Sequence, residues 1–214
     1  MLTSMRTTGL VPVFNHQEVE IAKHVLDACY KAGVRVFEFT NRSSNAANVF
    51  EQLVAHAAQY EDLVLGVGTV FTVKQAEDFI NLGTAFVVSP AMLPELGTFC
   101  MSKNIPWIPG CGTVTEIYRA KETGAEMVKI FPGNVLGPGF VKSAKAVFPD
   151  LSIMPTGGVA PTQENLKAWF DAGVTCVGMG SKLISKEVLA NKDFRSLEET
   201  VSAALETIRQ IRNG

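Results

Sequence analysis

A chain of 214 residues, 47% hydrophobic and 19% charged, holds enough apolar side chain for a sizeable core and too few charges for a disordered segment. Its formal net charge of −2, with Lys and Arg scattered along the chain, excludes the basic face of a nucleic-acid or anionic-membrane binder, so any anionic ligand must be recognised locally. No apolar run reaches bilayer length and Met1 to Val13 does not read as a signal peptide. Four cysteines without a CxxC pair read as reduced thiols of a soluble cytoplasmic protein, not as a disulfide framework or zinc site.

Short β-branched or apolar runs alternate with amphipathic stretches from one end to the other. The spacing predicts a strand over Gly9–Phe14, a helix over Gln17–Ala32 stopped by Gly33, a strand over Val34–Thr40 and a helix over Ser44–Gln59. A strand over Leu63–Val70 precedes a helix over Val73–Leu82 that ends at Gly83. Ala85–Pro90, Pro106–Gly112 and Met127–Pro132 read as the next strands, separated by helices over Pro94–Lys103 and Val114–Thr123. A short helix around Phe140–Val147 leads to strands over Ser152–Gly158 and Thr175–Gly180, with a helix over Thr162–Ala172 between them. The tail Leu197–Arg212 has helical periodicity. Eight strand–helix units in this length repeat every roughly 27 residues, the spacing of βα modules. The strands are near-continuous apolar runs, as expected when both faces are covered. These features point to an α/β protein, one (β/α)8 TIM barrel domain over residues 1–214. An open doubly wound sheet is the alternative, but no G-x-G-x-x-G follows the first strand.

In a barrel, function sits at the carboxyl ends of the strands, and side chains alternate between interior and helix layer. Polar residues inside apolar strands are therefore the candidates. In Val34-Arg35-Val36-Phe37-Glu38-Phe39-Thr40 the aromatics suit the helix layer, which turns Glu38 inward near the top. A buried carboxyl suits proton transfer, or else forms a structural ion pair. In Met127-Val128-Lys129-Ile130-Phe131-Pro132, Lys129 shares the inward parity with Met127 and Phe131 and cannot easily reach water. Desolvation favours the neutral amine that a nucleophile needs, whereas a purely structural Lys–Glu pair is often replaceable by apolar packing. Arg42, just past the second strand, can clamp a carboxylate or simply face solvent. Thr69 ends Gly66-Val67-Gly68-Thr69, whose glycines either admit a ligand or fit side chains across the barrel. Pro155-Thr156-Gly157-Gly158 and Gly178-Met179-Gly180-Ser181-Lys182 are glycine clusters that end the last two strands, where barrels commonly bind phosphate. His16, His24 and His56 lie in or at helices, and no Asp, Glu, His or Cys cluster has metal-ligand spacing, so no metal is expected.

Taken in order, Gly33-Val34-Arg35-Val36-Phe37-Glu38-Phe39-Thr40 with Arg42, Gly66-Val67-Gly68-Thr69-Val70, Val88-Ser89-Pro90, Ile108-Pro109-Gly110, Val128-Lys129-Ile130-Phe131-Pro132, Pro155-Thr156-Gly157-Gly158-Val159 and Gly180-Ser181 resemble the bacterial 2-dehydro-3-deoxy-phosphogluconate aldolases. That family overlaps with the 4-hydroxy-2-oxoglutarate aldolases. The resemblance implies a (β/α)8 barrel, a homotrimer, and a class I aldolase that cleaves a small 2-oxo acid to pyruvate and an aldehyde without metal or organic cofactor. It implies Lys129 as the Schiff-base lysine and Glu38 as general acid/base. Arg42 and Thr69 would hold the carboxylate, Pro90 and Phe131 would wall the pocket, and Gly157, Gly158, Gly180 and Ser181 would bind phosphate. Asn41 and Ser43 replace the family's commoner Leu and Thr, Ala91 replaces a common Gly, and Gly133-Asn134-Val135-Leu136-Gly137-Pro138 marks a subgroup; these changes bear on the aldehyde half. Two other classes fit the residues alone. One is a phosphosugar isomerase or epimerase using Glu38 without a lysine nucleophile; the other is a ligand-binding barrel without turnover.

Overall fold

The computed structural model describes residues 1–214. Eight strands, each followed by a helix, build it: β1 (Leu10–Phe14), α2 (Val19–Lys31), β2 (Val36–Thr40), α3 (Ala46–Ala57), β3 (Val64–Gly68), α4 (Val73–Asn81), β4 (Val87–Ser89) and α5 (Pro94–Ser102) form the first half. The second half is β5 (Trp107–Cys111), α6 (Val114–Glu122), β6 (Met127–Ile130), α7 (Gly133–Val147), β7 (Ser152–Pro155), α8 (Gln163–Asp171), β8 (Val177–Met179), α9 (Lys186–Asn191) and α10 (Phe194–Asn213). A short α1 (Leu2–Thr8) precedes the first strand. All pairings are parallel in the order β7-β6-β5-β4-β3-β2-β1-β8, and a bridge between Thr156 and Gly178 joins the two ends of that series. The expected barrel is thus formed.

The alternation read from the sequence sorts the core into two shells. Val11, Val36, Phe86, Val88, Ile108, Met127, Met154 and Cys176 pack with Met5 of α1 inside the barrel. A larger shell, including Phe37, Phe39, Val128 and Ile130, lies between sheet and helices. Each fully buried side chain of this size contributes about 1.5–3 kcal/mol of transfer free energy, so a one-residue slip of β2 or β6 would be strongly opposed.

Three local features depart from the expected elements or add to them. The N-terminal segment forms α1, a plug under the barrel that only Met5 buries. Its single buried residue gives no periodicity to read. The helix before β7 begins at Gly133, not near Phe140. Its first turn is separated from the rest by non-helical Gly137 (φ 69°, ψ 173°), so the Gly-Pro pair punctuates the helix without preventing its earlier turn. After β8 comes the short α9, whose Ser185 hydroxyl accepts from the Val188 N–H; α10 then starts at Phe194, three residues ahead of the expected tail.

Candidate active site

Strand β2 delivers Glu38 and strand β6 delivers Lys129. The register sets Glu38 level with Val13 on β1 and Gly66 on β3, and Lys129 level with Gly110 on β5 and Met154 on β7. The strand order places β2 and β6 on opposite sides of the barrel. Their side chains reach across it: Lys129 Nζ donates to Glu38 Oε1 at 3.2 Å. Glu38 is fully buried and Lys129 is 4% exposed. The second carboxylate oxygen, Glu38 Oε2, is buried without a hydrogen-bond partner. A buried acceptor without a protein partner costs about 1–3 kcal/mol.

Small residues make this pair possible. A side chain on Gly68 would run into the Glu38 carboxylate, and one on Gly66 into the Phe86 ring. These glycines make room for side chains of the two strands that flank β3, Glu38 on β2 and Phe86 just before β4. The Phe131 ring centroid lies 5.6 Å from Lys129 Nζ, and Gly110 backs closely onto the Pro90 carbonyl. Ser89 fixes the Pro90 turn, donating to the Ala91 carbonyl at 2.7 Å and accepting from Trp107 Nε1 at 3.0 Å.

Arg42 is exposed, has no carboxylate partner, and donates from Nε to Thr69 Oγ1 at 3.3 Å. Thr69 has φ 61°, a left-handed backbone that costs a non-glycine residue about 1–3 kcal/mol. The structure thus brings Arg42 and Thr69 together at the mouth.

The last two strands end in the glycine turns. Gly157 and Gly158 have φ 91° and 73°, which L side chains rarely adopt. The backbone N–H groups of Gly157, Gly158, Gly180 and Ser181 donate to no other group of the chain, while the Gly180 carbonyl accepts from Leu183 N–H at 2.8 Å and Ile184 N–H at 3.0 Å. One buried residue between these turns escaped the sequence reading. Thr156, 7% exposed, has the inward parity of Ser152 and Met154, packs on Gly178, and keeps Oγ1 unpartnered. Its inward parity is readable within the expected strand Ser152–Gly158, but the two glycines that follow it also read as a turn.

No three His, Cys, Asp or Glu side chains come together in a way that could hold a metal ion. No helix is long and apolar enough to cross a membrane.

A lysine and a glutamate side chain facing each other, buried inside a parallel (β/α)8 barrel, define an enzyme site built for amine and proton-transfer chemistry. The chain belongs to the KDPG and KHG aldolase family, whose model matches residues 1–200. Members of that family are carbon–carbon lyases, and so is this chain. It is 32% identical over 206 residues to the 2-dehydro-3-deoxy-phosphogluconate aldolase of Treponema pallidum (strain Nichols), covering 96% of each chain. It is 34% identical over 150 residues to the 2-dehydro-3-deoxy-6-phosphogalactonate aldolase of Escherichia coli (strain K12), covering 70% of this chain and 69% of that one. Among solved structures, the KDPG aldolase of Legionella pneumophila, with pyruvate captured as a covalent carbinolamine intermediate, superposes with a TM-score of 0.86 at 28% identity over 95% of this chain and 97% of that one.

Proposed function

We propose that Lys129 is the Schiff-base nucleophile and Glu38 the proton shuttle. The substrate is a 2-oxo-3-deoxy sugar acid, either 2-dehydro-3-deoxy-6-phosphogluconate or a close relative, together with or in place of 4-hydroxy-2-oxoglutarate. The observation that carries this reading is the 3.2 Å approach of Lys129 Nζ to Glu38 Oε1 across a buried mouth.

The neutral amine attacks C2 of the 2-oxo acid, and the former carbonyl oxygen takes a proton to give a carbinolamine. Proton delivery by Glu38 lets that oxygen leave as water and forms the iminium. The C4 hydroxyl then gives its proton to the Glu38 carboxylate. The C3–C4 bonding pair moves toward the iminium nitrogen, and an aldehyde leaves. Protonation of the lysine-bound enamine at C3, followed by addition of water, releases pyruvate and restores the amine. The free Oε2 of Glu38 is the atom open to these transfers while Oε1 faces the amine. No step calls on a metal or organic cofactor.

Arg42 and Thr69 hold the C1 carboxylate, and Pro90 and Phe131 wall the pyruvate half. Gly157, Gly158, Gly180 and Ser181 offer their free N–H groups to a distal phosphate, the chemistry that glycine turns at late barrel strands provide. Four free, buried cysteines support a cytoplasmic setting. Exposed Phe71 and Val73, which line an apolar hollow with Leu93 and Pro94, support assembly as a homotrimer. The reading is tested by supplying the candidate 2-oxo acids and following pyruvate. Release from at least one, lost in Lys129→Met, is the expected result; none released, or release surviving Lys129→Met, would overturn it.

A further inference from the structure

The loop after β6 brings Asn134 onto the turn after β7. The Gly133 N–H donates to the Thr156 carbonyl at 2.8 Å and ties the two strand tips together. A Cβ placed on Gly158 would lie 2.8 Å from Asn134 Cα and 2.9 Å from its Cβ, and one on Gly157 would lie 3.1 Å from Asn134 Oδ1. The absence of side chains at those two positions is therefore what seats Asn134 there, with its carboxamide over Gly157. Asn134 is exposed, and its backbone N–H, like those of Gly157, Gly158 and Ser181, donates to nothing in the chain. A half-turn about its last side-chain torsion exchanges Oδ1 and Nδ2, so the same seat can present an N–H donor. Beside these turns lies Thr156 Oγ1, an unpartnered hydroxyl in a side chain only 7% exposed. Free donors from the tips of β6, β7 and β8 thus share one side of the mouth, beyond Lys129.

We infer that Asn134 is a specificity-determining residue for the aldehyde half of the substrate. Its N–H groups join those of Gly157, Gly158 and Ser181 around a distal anion, a phosphate monoester or a carboxylate at the end of the chain away from C2. The inference rests on the Schiff-base reading above and extends it to a residue of the chain's own β6 loop. Asn134→Asp keeps the shape, removes the donor and sets a negative charge against the anion; Asn134→Ala removes the carboxamide alone.

The test measures kcat/KM for 2-dehydro-3-deoxy-6-phosphogluconate, its unphosphorylated counterpart and 4-hydroxy-2-oxoglutarate in both variants. A hydrogen bond to a charged group corresponds to roughly a ten- to hundred-fold effect. Asn134→Asp should lose about that factor on the phosphorylated substrate, and Asn134→Ala about tenfold, with the unphosphorylated sugar acid changed less than about threefold. A parallel loss on 4-hydroxy-2-oxoglutarate would show that the seat takes either anion; a loss confined to the phosphorylated substrate would make it a phosphate seat. An unchanged ratio of phosphorylated to unphosphorylated turnover in both variants would overturn the inference. Borohydride trapping of pyruvate, which has no distal group, is run alongside. Its failure in the wild-type protein would sink the Schiff-base reading, whereas intact trapping with unchanged discrimination would sink only the role of Asn134.

Discussion

Lys129 and Glu38 are the two charged side chains among the buried residues, and packing gives no reason for them. Removing one member of a buried ion pair costs about 3–5 kcal/mol, whereas removing both often costs nothing. This separates a structural pair from a working one. Glu38→Gln should keep the fold and lower turnover by about 10²–10⁴-fold, the usual contribution of a positioned acid/base. Lys129→Met/Glu38→Gln should regain most of the melting temperature that Lys129→Met loses, while turnover stays absent. Thermal unfolding and pyruvate release on the same samples decide it: a double variant that turns over, or a Glu38→Gln enzyme of normal rate, contradicts the assignment. At the mouth, Arg42→Ala should weaken every 2-oxo acid by roughly ten- to hundred-fold, because all carry the carboxylate; inhibition constants for pyruvate measure this directly. The burial of Glu38 and Lys129 was legible because their neighbours Phe37, Phe39, Val128 and Ile130 announce the opposite parity. Thr156 and Asn134 were not singled out, since a polar residue beside glycines reads equally well as a turn, and only the packing of one strand tip on the next sets it at the mouth.

The elements themselves were readable wherever hydrophobic period and a stop signal agreed. The glycines expected to end helices at 33 and 83 both take positive φ, and the strands fall within the expected ranges, shortened at their ends where the ladder stops. Elements with little buried surface were missed. α1 buries only Met5 and α9 buries nothing, so neither leaves an amphipathic trace. α7 was cut short because Gly137-Pro138 resembles a loop. Where two strands meet in the interior, the glycine on one is set by the side chain on the other. Gly68→Ala should therefore act on Glu38 from β3. Its methyl overlaps the carboxylate, and such overpacking costs about 1–3 kcal/mol. A lower melting temperature together with a larger fall in kcat than in binding of pyruvate is the expected pattern; a fully active Gly68→Ala enzyme would show that β3 does not position the carboxyl.

At the scale of the molecule, the four thiols tie stability to alkaline pH. Burial pushes Cys100 up to about 11 and Cys111 and Cys176 up to about 12, from an ordinary value of 9.0, and pushes Cys29 up as well. The unfolded chain releases these protons near pH 9 while the folded one retains them. Their contribution to stability is therefore complete below pH 9 and is lost progressively as pH rises toward 11–12. The melting temperature should fall over that window, less steeply in Cys176→Ala, and a flat profile would contradict the burial. Assembly is the other whole-molecule property. Sedimentation should give a particle three times the 23.1 kDa chain, and Phe71→Asp should dissociate it; a monomeric wild type would remove the trimer. The barrel was legible from its βα repeat, but the exposed hollow at Phe71 was not, since a surface apolar residue is indistinguishable from a core one until the fold is built. The central claim, that Lys129 forms the Schiff base, is tested most directly by borohydride reduction in the presence of pyruvate, read by intact mass and peptide mapping. One three-carbon adduct per chain, on Lys129, is the predicted result; no adduct, or an adduct on Lys142 or Lys145, would contradict it.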